Sequence, residues 1–533
     1  MPRAKLPILE EIPKHSRVDE VIWGHRMRQD QTGWLLVLEM LNVANACLEA
    51  TNMQNPLPDM GKPDAPCVSA SYRVRFRNLL FSFNQKAAEL AAAIEQERMT
   101  SDEAWDAWLL HTTEQYAAPG GCDFTPLRGR FDDFLQFERA IDLVRATAVN
   151  GLESKKGTYS RYLFPMSADS LFWEMALKNN GGSQVIDSTY NSFTRAGTLL
   201  HIMLSRSSMV DAIRRPIADF VLRDSQAATL VKHLQVDEMP TQRRSSMSTY
   251  LPYEKHSRFD RLGEDYFNIL SLKVPQNDKL LWLVPLSALH LSLYHAEVAH
   301  EEYLGGHLPL PVVCEILAPK TTTVRQQSID SLNTNGDLSR RAVENLLDAA
   351  FSSEEWLNAA TNASSMEERF KMAKEYIAKQ LFPPKKVLDE IPCSSDVDVL
   401  RIEVKRFFQE RHQREFAGVH AAYGKQAGLV SRRGTNRNRY APTDQLLKSL
   451  VLANVSQEIQ LEEFLDRLFT RYGLVLGCRQ QEAILAAGYP DLSRHVSGIA
   501  FRNNQTRLES RLKSMGMLRK LSDSQAYVIN PFI

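Results

Sequence analysis

Four stretches of the chain combine residue types that could do chemistry. The first is Glu403-Val404-Lys405, with Asp389, Asp396 and Asp398 upstream. On adjoining strands such carboxylates would hold Mg²⁺, the metal would activate a water, and the lysine would help to position it. That chemistry needs a strand ending soon after the lysine. The neighbours argue instead for a helix. Val397, Leu400, Val404, Phe407 and Phe408 in "SSDVDVLRIEVKRFFQERHQREF" fall on one helical stripe, with Ser395 or Asp396 as N-cap. Residues two apart on a helix point to different sides.

The second stretch, "HLSLYHAEVAHEEYLGGH", holds His290, His295, His300 and His307 with Glu297, Glu301 and Glu302. Metal ligands paired on a helix need three- or four-residue spacing, whereas the first three histidines recur every five. Glu297 and His300 make one E-x-x-H, with no second copy and no H-E-x-x-H. A helix whose polar residues are satisfied internally is expected. The third, "GVHAAYGKQ" (Gly418–Gln426), is a near miss of a phosphate-binding loop: its glycines are spaced one residue too far, and Gln426 stands where a hydroxyl is needed. The fourth, "STYNSFTRAGTLLHIMLSRSS", carries Tyr190, Arg195, His201 and Arg206, which suit a pocket or an interface but select no reaction. There is no G-x-S-x-G elbow or Cys/His arrangement. No catalytic residue, metal ligand or cofactor is therefore expected.

The elements that would position any site are mainly helical. Periodicity of 3.6 residues dominates and strand-like alternation is scarce, so a multi-domain helical body is expected. At 44% hydrophobic and 24% charged, the 533 residues can build ordinary globular cores. Composition suggests a helical domain over 1–150, a more apolar one over 151–317 and a charged helical segment over 340–430. "APKTTTVRQQSIDSLNTNGDLS" (Ala318–Ser339) and "SRRGTNRNRYAP" (Ser431–Pro442) have linker composition. The six cysteines are scattered with no C-x-x-C, as in reduced core thiols of a cytoplasmic protein. Gly33–Leu48 and Leu280–Ala299 are apolar but interrupted by charge, asparagine or proline, so buried helices rather than membrane spans are expected.

Charge is uneven. Residues 401–533 hold 21 Lys+Arg against 12 Asp+Glu, although the whole chain is formally neutral. A basic end on an acidic body suits nucleic acid or an acidic partner protein. The last segment, 441–533, explains how that charge could be presented. "APTDQLLKSLVLANV" offers Thr443 or Asp444 as cap and Leu446 and Leu450 at helical spacing. "QLEEFLDRLFTRYGLVLG" follows, with Leu461, Phe464, Leu465 and Leu468 on one side and Gly473 as terminator. In "NNQTRLESRLKSMGMLRKLSDSQAYVINPF", Leu508, Leu512 and Met515 form a stripe, Gly516 closes the helix, and "MLRKL" and "AYVIN" flank a turn.

Helix, glycine and two-stranded hairpin resemble the second half of a winged-helix domain. That resemblance implies a helix read against the major groove, with basic flanks on phosphate. Groove contacts are expected from Asn503, Thr506, Ser510 and Lys513. Phosphate contacts are expected from Arg507, Arg519 and Lys520, and from Arg432, Arg433, Arg437 and Arg439 in a flexible arm. Together with "VIWGHRMRQDQTGWLLVLEMLNV" near the start, the overall pattern resembles accessory proteins of bacterial anti-phage defence systems, the Druantia type above all. This implies a non-enzymatic cytoplasmic subunit that binds double-stranded DNA or acts as scaffold, beside a separate helicase or nuclease, and off the membrane. The alternatives are a Mg²⁺-dependent nuclease of the PD-(D/E)xK kind using Glu403 and Lys405, and a purely protein-binding scaffold.

Overall fold

A computed structural model of the chain describes residues 17–24, 27, 33–62, 79, 84–115, 123–146, 177–180, 183–186, 196–222, 226–236, 250–316, 322–361, 365–381, 383–392, 396–433, 436–487, 498–522 and 525–533. The architecture is mainly helical, as expected. Tyr190 and Arg195 lie outside the described residues.

Helices α1 (Arg17–Trp23) and α2 (Gly33–Ala50) belong to the largest buried core. The next three, α3 (Asn84–Glu95), α4 (Ser101–Gln115) and α5 (Phe134–Ala146), build a separate core around Trp105, Trp108, Phe124, Phe134 and Phe137. A hairpin of β1 (Leu177–Asn180) and β2 (Ser183–Ile186) follows. Then come α6 (Ala196–Ser205), α7 (Val210–Leu222) and α8 (Gln226–Leu234). Packing therefore does not follow the expected boundary at 150. The first two helices join the central mass, and Val231 and Leu234 of α8 complete the aromatic core. Glu39 on α2 is buried because it meets the start of α6. It accepts hydrogen bonds from the Gly197 backbone N at 3.0 Å and Thr198 Oγ1 at 3.2 Å, where a carboxylate complements the helix dipole.

The centre is α10 (Gln276–Val298), preceded by α9 (Ser257–Ser271). A helix apolar on every side must be buried on every side. α10 accordingly packs against α2, α9 and two later helices, α16 and α17, whose ranges are Val419–Gln426 and Asp444–Asn454. Among the described residues no helix is long and apolar enough to cross a membrane.

After β3 (Val312–Val313) comes α11 (Thr323–Phe351), which corrects the linker expected over 318–339. Thr322 caps it by accepting from the Arg325 N at 3.1 Å. Its Ser and Asn residues mimic linker composition because they form a buried polar face. Ser331 accepts from the Val313 N, and Asn335 donates to the Pro311 carbonyl at 3.0 Å and to the Tyr440 hydroxyl at 3.1 Å. Then follow α12 (Glu354–Thr361), α13 (Met366–Gln380), α14 (Lys385–Asp389) and α15 (Val397–Glu415), ahead of α16.

Residues 431–442 are likewise no free linker. Strands β4 (Val430–Ser431) and β5 (Arg439–Tyr440) pair antiparallel, and β5 lies against α11. Beyond α17 the order is β6 (Ile459–Gln460), α18 (Leu461–Tyr472), β7 (Leu474–Val475), α19 (Cys478–Ala486), α20 (Gly498–Ser514), β8 (Leu518–Lys520) and β9 (Ala526–Val528). β6, β9 and β8 form an antiparallel sheet in that order, while β7 pairs parallel with β3 of the body. The end of the chain shares one core with the body rather than hanging from it.

Candidate nucleic-acid interface

Helix α20 carries five of the eleven expected contact residues, Asn503, Thr506, Arg507, Ser510 and Lys513. Phe501, Asn504, Leu508 and Leu512 form its buried stripe. Gly516 stops it at φ +71°, a left-handed conformation that glycine adopts without a Cβ clash, and the Met517 N closes back on the Leu512 carbonyl at 2.8 Å. The opposite side exposes Arg502, Asn503, Thr506, Ser510 and Lys513, as the spacing predicts, while Arg507 is half-buried. Two hydroxyls fold back onto their own helix: Thr506 donates to the Arg502 carbonyl at 3.1 Å and Ser510 to the Thr506 carbonyl at 3.0 Å. Each would turn away from the backbone to meet a ligand.

Asn504 is the residue positioning this helix that reading for exposed polarity misses. It is fully buried and pins α20 to the body. Its Oδ1 accepts from the Ile316 N at 2.7 Å, and its Nδ2 donates to the Cys314 and Leu476 carbonyls at 3.0 and 2.9 Å. Its place four residues before Leu508, on the apolar stripe, was the available signal.

The β4–β5 hairpin lies beside this anchor. Arg432, Arg433 and Arg437 are exposed near its tip, but Arg439 is not, which corrects its expected role on phosphate. The ladder sets Arg439 opposite Ser431 and turns its side chain inward, onto Glu315. Glu315 also accepts from Arg325 Nε at 2.8 Å. Arg439 Nη2 donates to the Arg433 carbonyl at 2.6 Å, and Arg432 Nε to Asn438 Oδ1 at 2.8 Å. The arm is thus a braced hairpin, and Arg439 is its brace. Glu315 sits between Cys314 and Ile316, the two residues that Asn504 holds, so hairpin and helix share one short stretch of backbone.

The remaining cations are partly neutralised. Arg511 pairs with Asp444, its Nε at 2.8 Å from Oδ1, and Arg519 pairs with Glu458. Lys520 is exposed on β8.

Among known proteins, no family model, curated protein or solved structure matches the chain.

The catalytic alternatives do not assemble. Glu403 and Lys405 lie on α15, a helix, so the adjoining strands required by the nuclease reading are missing. Lys405 pairs with Asp348 and Glu403 with Arg406, and Asp396 is the N-cap of the helix. Gly418–Gln426 is α16 and its approach, not a loop around phosphate. Among the described residues no group of three His, Cys, Asp or Glu is placed to hold a metal. Arg206 is engaged by Asp59 at 2.9 Å, and His201 is buried 2.9 Å from the Pro56 carbonyl.

The histidines of α10 are structural in kind. His290 Nε2 lies 2.8 Å from Asp265 Oδ2, and Glu297 receives the buried Arg258. Burial lowers the His290 pKa against the pull of Asp265. His295 departs from the expectation of internal satisfaction: neither ring nitrogen has a partner, and the ring stacks on Trp23 with centroids 4.5 Å apart. Burial holds its pKa well below the ordinary value, with His420 and His412 nearby adding to the effect.

Proposed function

We propose that this chain is a non-enzymatic DNA-binding or scaffolding subunit of a cytoplasmic bacterial anti-phage complex, working beside a separate helicase or nuclease. In this reading residues 441–533 are a winged helix that takes double-stranded DNA. The observation that carries it is the exposed side of α20. Arg502, Asn503, Thr506, Ser510 and Lys513 are exposed there, with Glu509, half-buried, as the helix's one acid, and the hairpin that carries Arg432, Arg433 and Arg437 is anchored to the same stretch of backbone as the helix. Polar, hydrogen-bonding side chains suit base edges, and arginines on a braced turn suit the phosphates flanking a groove.

Strand order supports the same reading, because the hairpin that follows α20 is completed by the short β6 between two helices. β7 and α19 are insertions relative to the simplest winged helix. The defence setting comes from the resemblance in overall pattern. A purely protein-binding scaffold is the second reading, favoured by the pairs Arg511–Asp444 and Arg519–Glu458, which occupy two cations of this end.

The test is duplex binding by fluorescence anisotropy with Arg502→Glu/Lys513→Glu. Reversing two charges on the exposed face should weaken binding at least about tenfold at low salt. Equal affinity would favour the scaffold.

A further inference from the structure

A groove of about 390 Å³ lies between α15 and the short α14 with the turn that follows it. Prolines bound that short element: Pro384 is the N-cap of α14, and Pro392 stands just past its end. Leu388 and Ile391 reach from it into the main core, and so do Leu400, Val404 and Phe408 on the inner stripe of α15. The neighbouring stripe of α15, with Val399, Glu403, Arg406, Phe407 and Glu410, is left facing the groove. The floor is apolar, completed from the α14 side by Val387, Ile391 and Pro392. Val399 is 41% exposed, and Ile402, its neighbour on the helix surface, is 56% exposed. The Phe407 ring is set edge-on to Phe408, with centroids 5.2 Å apart at 71°, so the apolar surface is already formed.

The charge around that floor is one-sided. Glu390, Glu403 and Glu410 line the groove against Arg406 alone, and Arg406 is already taken by Glu403. Glu390 is exposed and lies 3.7 Å from Lys386, a surface pair of little strength. Glu410 is exposed and makes no ion pair among the described residues. Nor do three carboxylates converge, among the described residues, as they would around a metal ion. Acids spread along an apolar floor repel nucleic acid and suit cationic side chains set between apolar ones.

We infer that this groove docks a segment of a partner protein that sets apolar side chains beside lysine or arginine. The apolar side chains rest on Phe407 and Val399, and the cations meet Glu390 and Glu410 at the rim. The volume, within the range of roughly 300–1,000 Å³ seen for small-ligand sites, takes a few side chains of a short segment rather than a folded face. The inference rests on the subunit reading in requiring a partner protein. It uses no residue of α20 or of the β4–β5 hairpin, so duplex binding and groove docking stand or fall separately.

Fluorescence anisotropy of a short labelled amphipathic peptide of leucine and lysine, titrated with the full chain and without DNA, tests it. A peptide with glutamate in place of every lysine is the comparison. The lysine peptide should bind saturably, at least about tenfold tighter than the glutamate peptide. Glu390→Lys/Glu410→Lys, at two exposed positions, should weaken it about tenfold with the thermal midpoint unchanged. Val399→Ser should weaken it at least about threefold. Glu375→Arg, at an exposed acid of α13 outside the groove, should leave it unchanged. No saturable binding of the lysine peptide up to about 1 mM, or equal affinity in the rim variant, would overturn the inference. So would an equal loss in Glu375→Arg, which would mark attraction by the overall charge of the body. Self-association of the parent chain in sedimentation, abolished in the rim variant, would give the groove to a second copy and overturn it too.

Discussion

Arg439 and Glu315 form an ion pair that solvent does not reach: both side chains are fully buried, and 124 residues of sequence separate them. The pair converts a basic stretch of linker composition into a braced hairpin. Arg325 also pairs with Glu315, so losing Arg439 leaves the buried carboxylate one cation and should cost less than the about 3–5 kcal/mol of stranding a buried charge outright. Arg439→Ala should shift the denaturant midpoint downward, whereas Arg432→Ala, at an exposed site on the same hairpin, should leave it in place. Equal midpoints for the two variants would contradict the brace.

Asn504 makes a second, independent anchor. Asn504→Ala leaves the Ile316 N and the Cys314 and Leu476 carbonyls without their side-chain partner. At about 1–3 kcal/mol for a buried unsatisfied group, a loss of at least about 2 kcal/mol is expected in chemical denaturation. Amide exchange in α20 should quicken more than in α10. Uniform exchange across both helices would mean that Asn504 does not hold the C-terminal unit to the body.

Two glycines with the same backbone conformation should respond differently. Gly473 (φ +74°) ends α18, and a Cβ there would lie 2.0 Å from the Leu310 carbonyl oxygen. Gly516 (φ +71°) has nothing within 4 Å. Gly516→Ala should cost only the left-handed strain, about 1–2 kcal/mol. Gly473→Ala adds a backbone clash beside the β3–β7 pairing and should cost clearly more, as read from thermal unfolding.

Stability should fall in mild acid through His201. Burial lowers its pKa from 6.5 to about 4, opposed by the hydrogen bond at the Pro56 carbonyl. The unfolded chain takes up a proton below about pH 6.5 that the folded chain refuses until about pH 4. The stability that neutral His201 contributes is thus complete above pH 6.5 and is lost as pH falls toward 4, by roughly 3 kcal/mol. His201→Gln should flatten the decline between pH 7 and pH 4.5. A curve parallel to that of the parent chain would remove His201 as its cause.

Helices with one apolar stripe were legible in the sequence. Leu461, Phe464, Leu465 and Leu468 are buried on α18, Gly473 terminates it, and Leu508 and Leu512 bury one side of α20. What escaped was polarity directed inward. Ser331 and Asn335 read as linker because local composition does not disclose that β3 and Tyr440 supply their partners. Arg439 cannot be told from Arg437 by type, since only strand pairing and a distant Glu315 turn one in and leave the other out. His295, unpaired against Trp23, breaks the rule that buried polar groups find partners, and nothing in its spacing announces this.

The most direct measurement is duplex affinity across a series of salt concentrations for the parent chain and for Arg432→Ala/Arg433→Ala/Arg437→Ala, with Arg439 kept so that the hairpin stays braced. Binding to duplex by the parent should weaken steeply with salt. The variant should bind more weakly at low salt, with the slope of log affinity against log salt shallower by about 2–3, near 0.9 for each phosphate no longer neutralised. No binding of duplex by the parent, or the same affinity and slope in both proteins, would contradict a nucleic-acid interface at this end of the molecule.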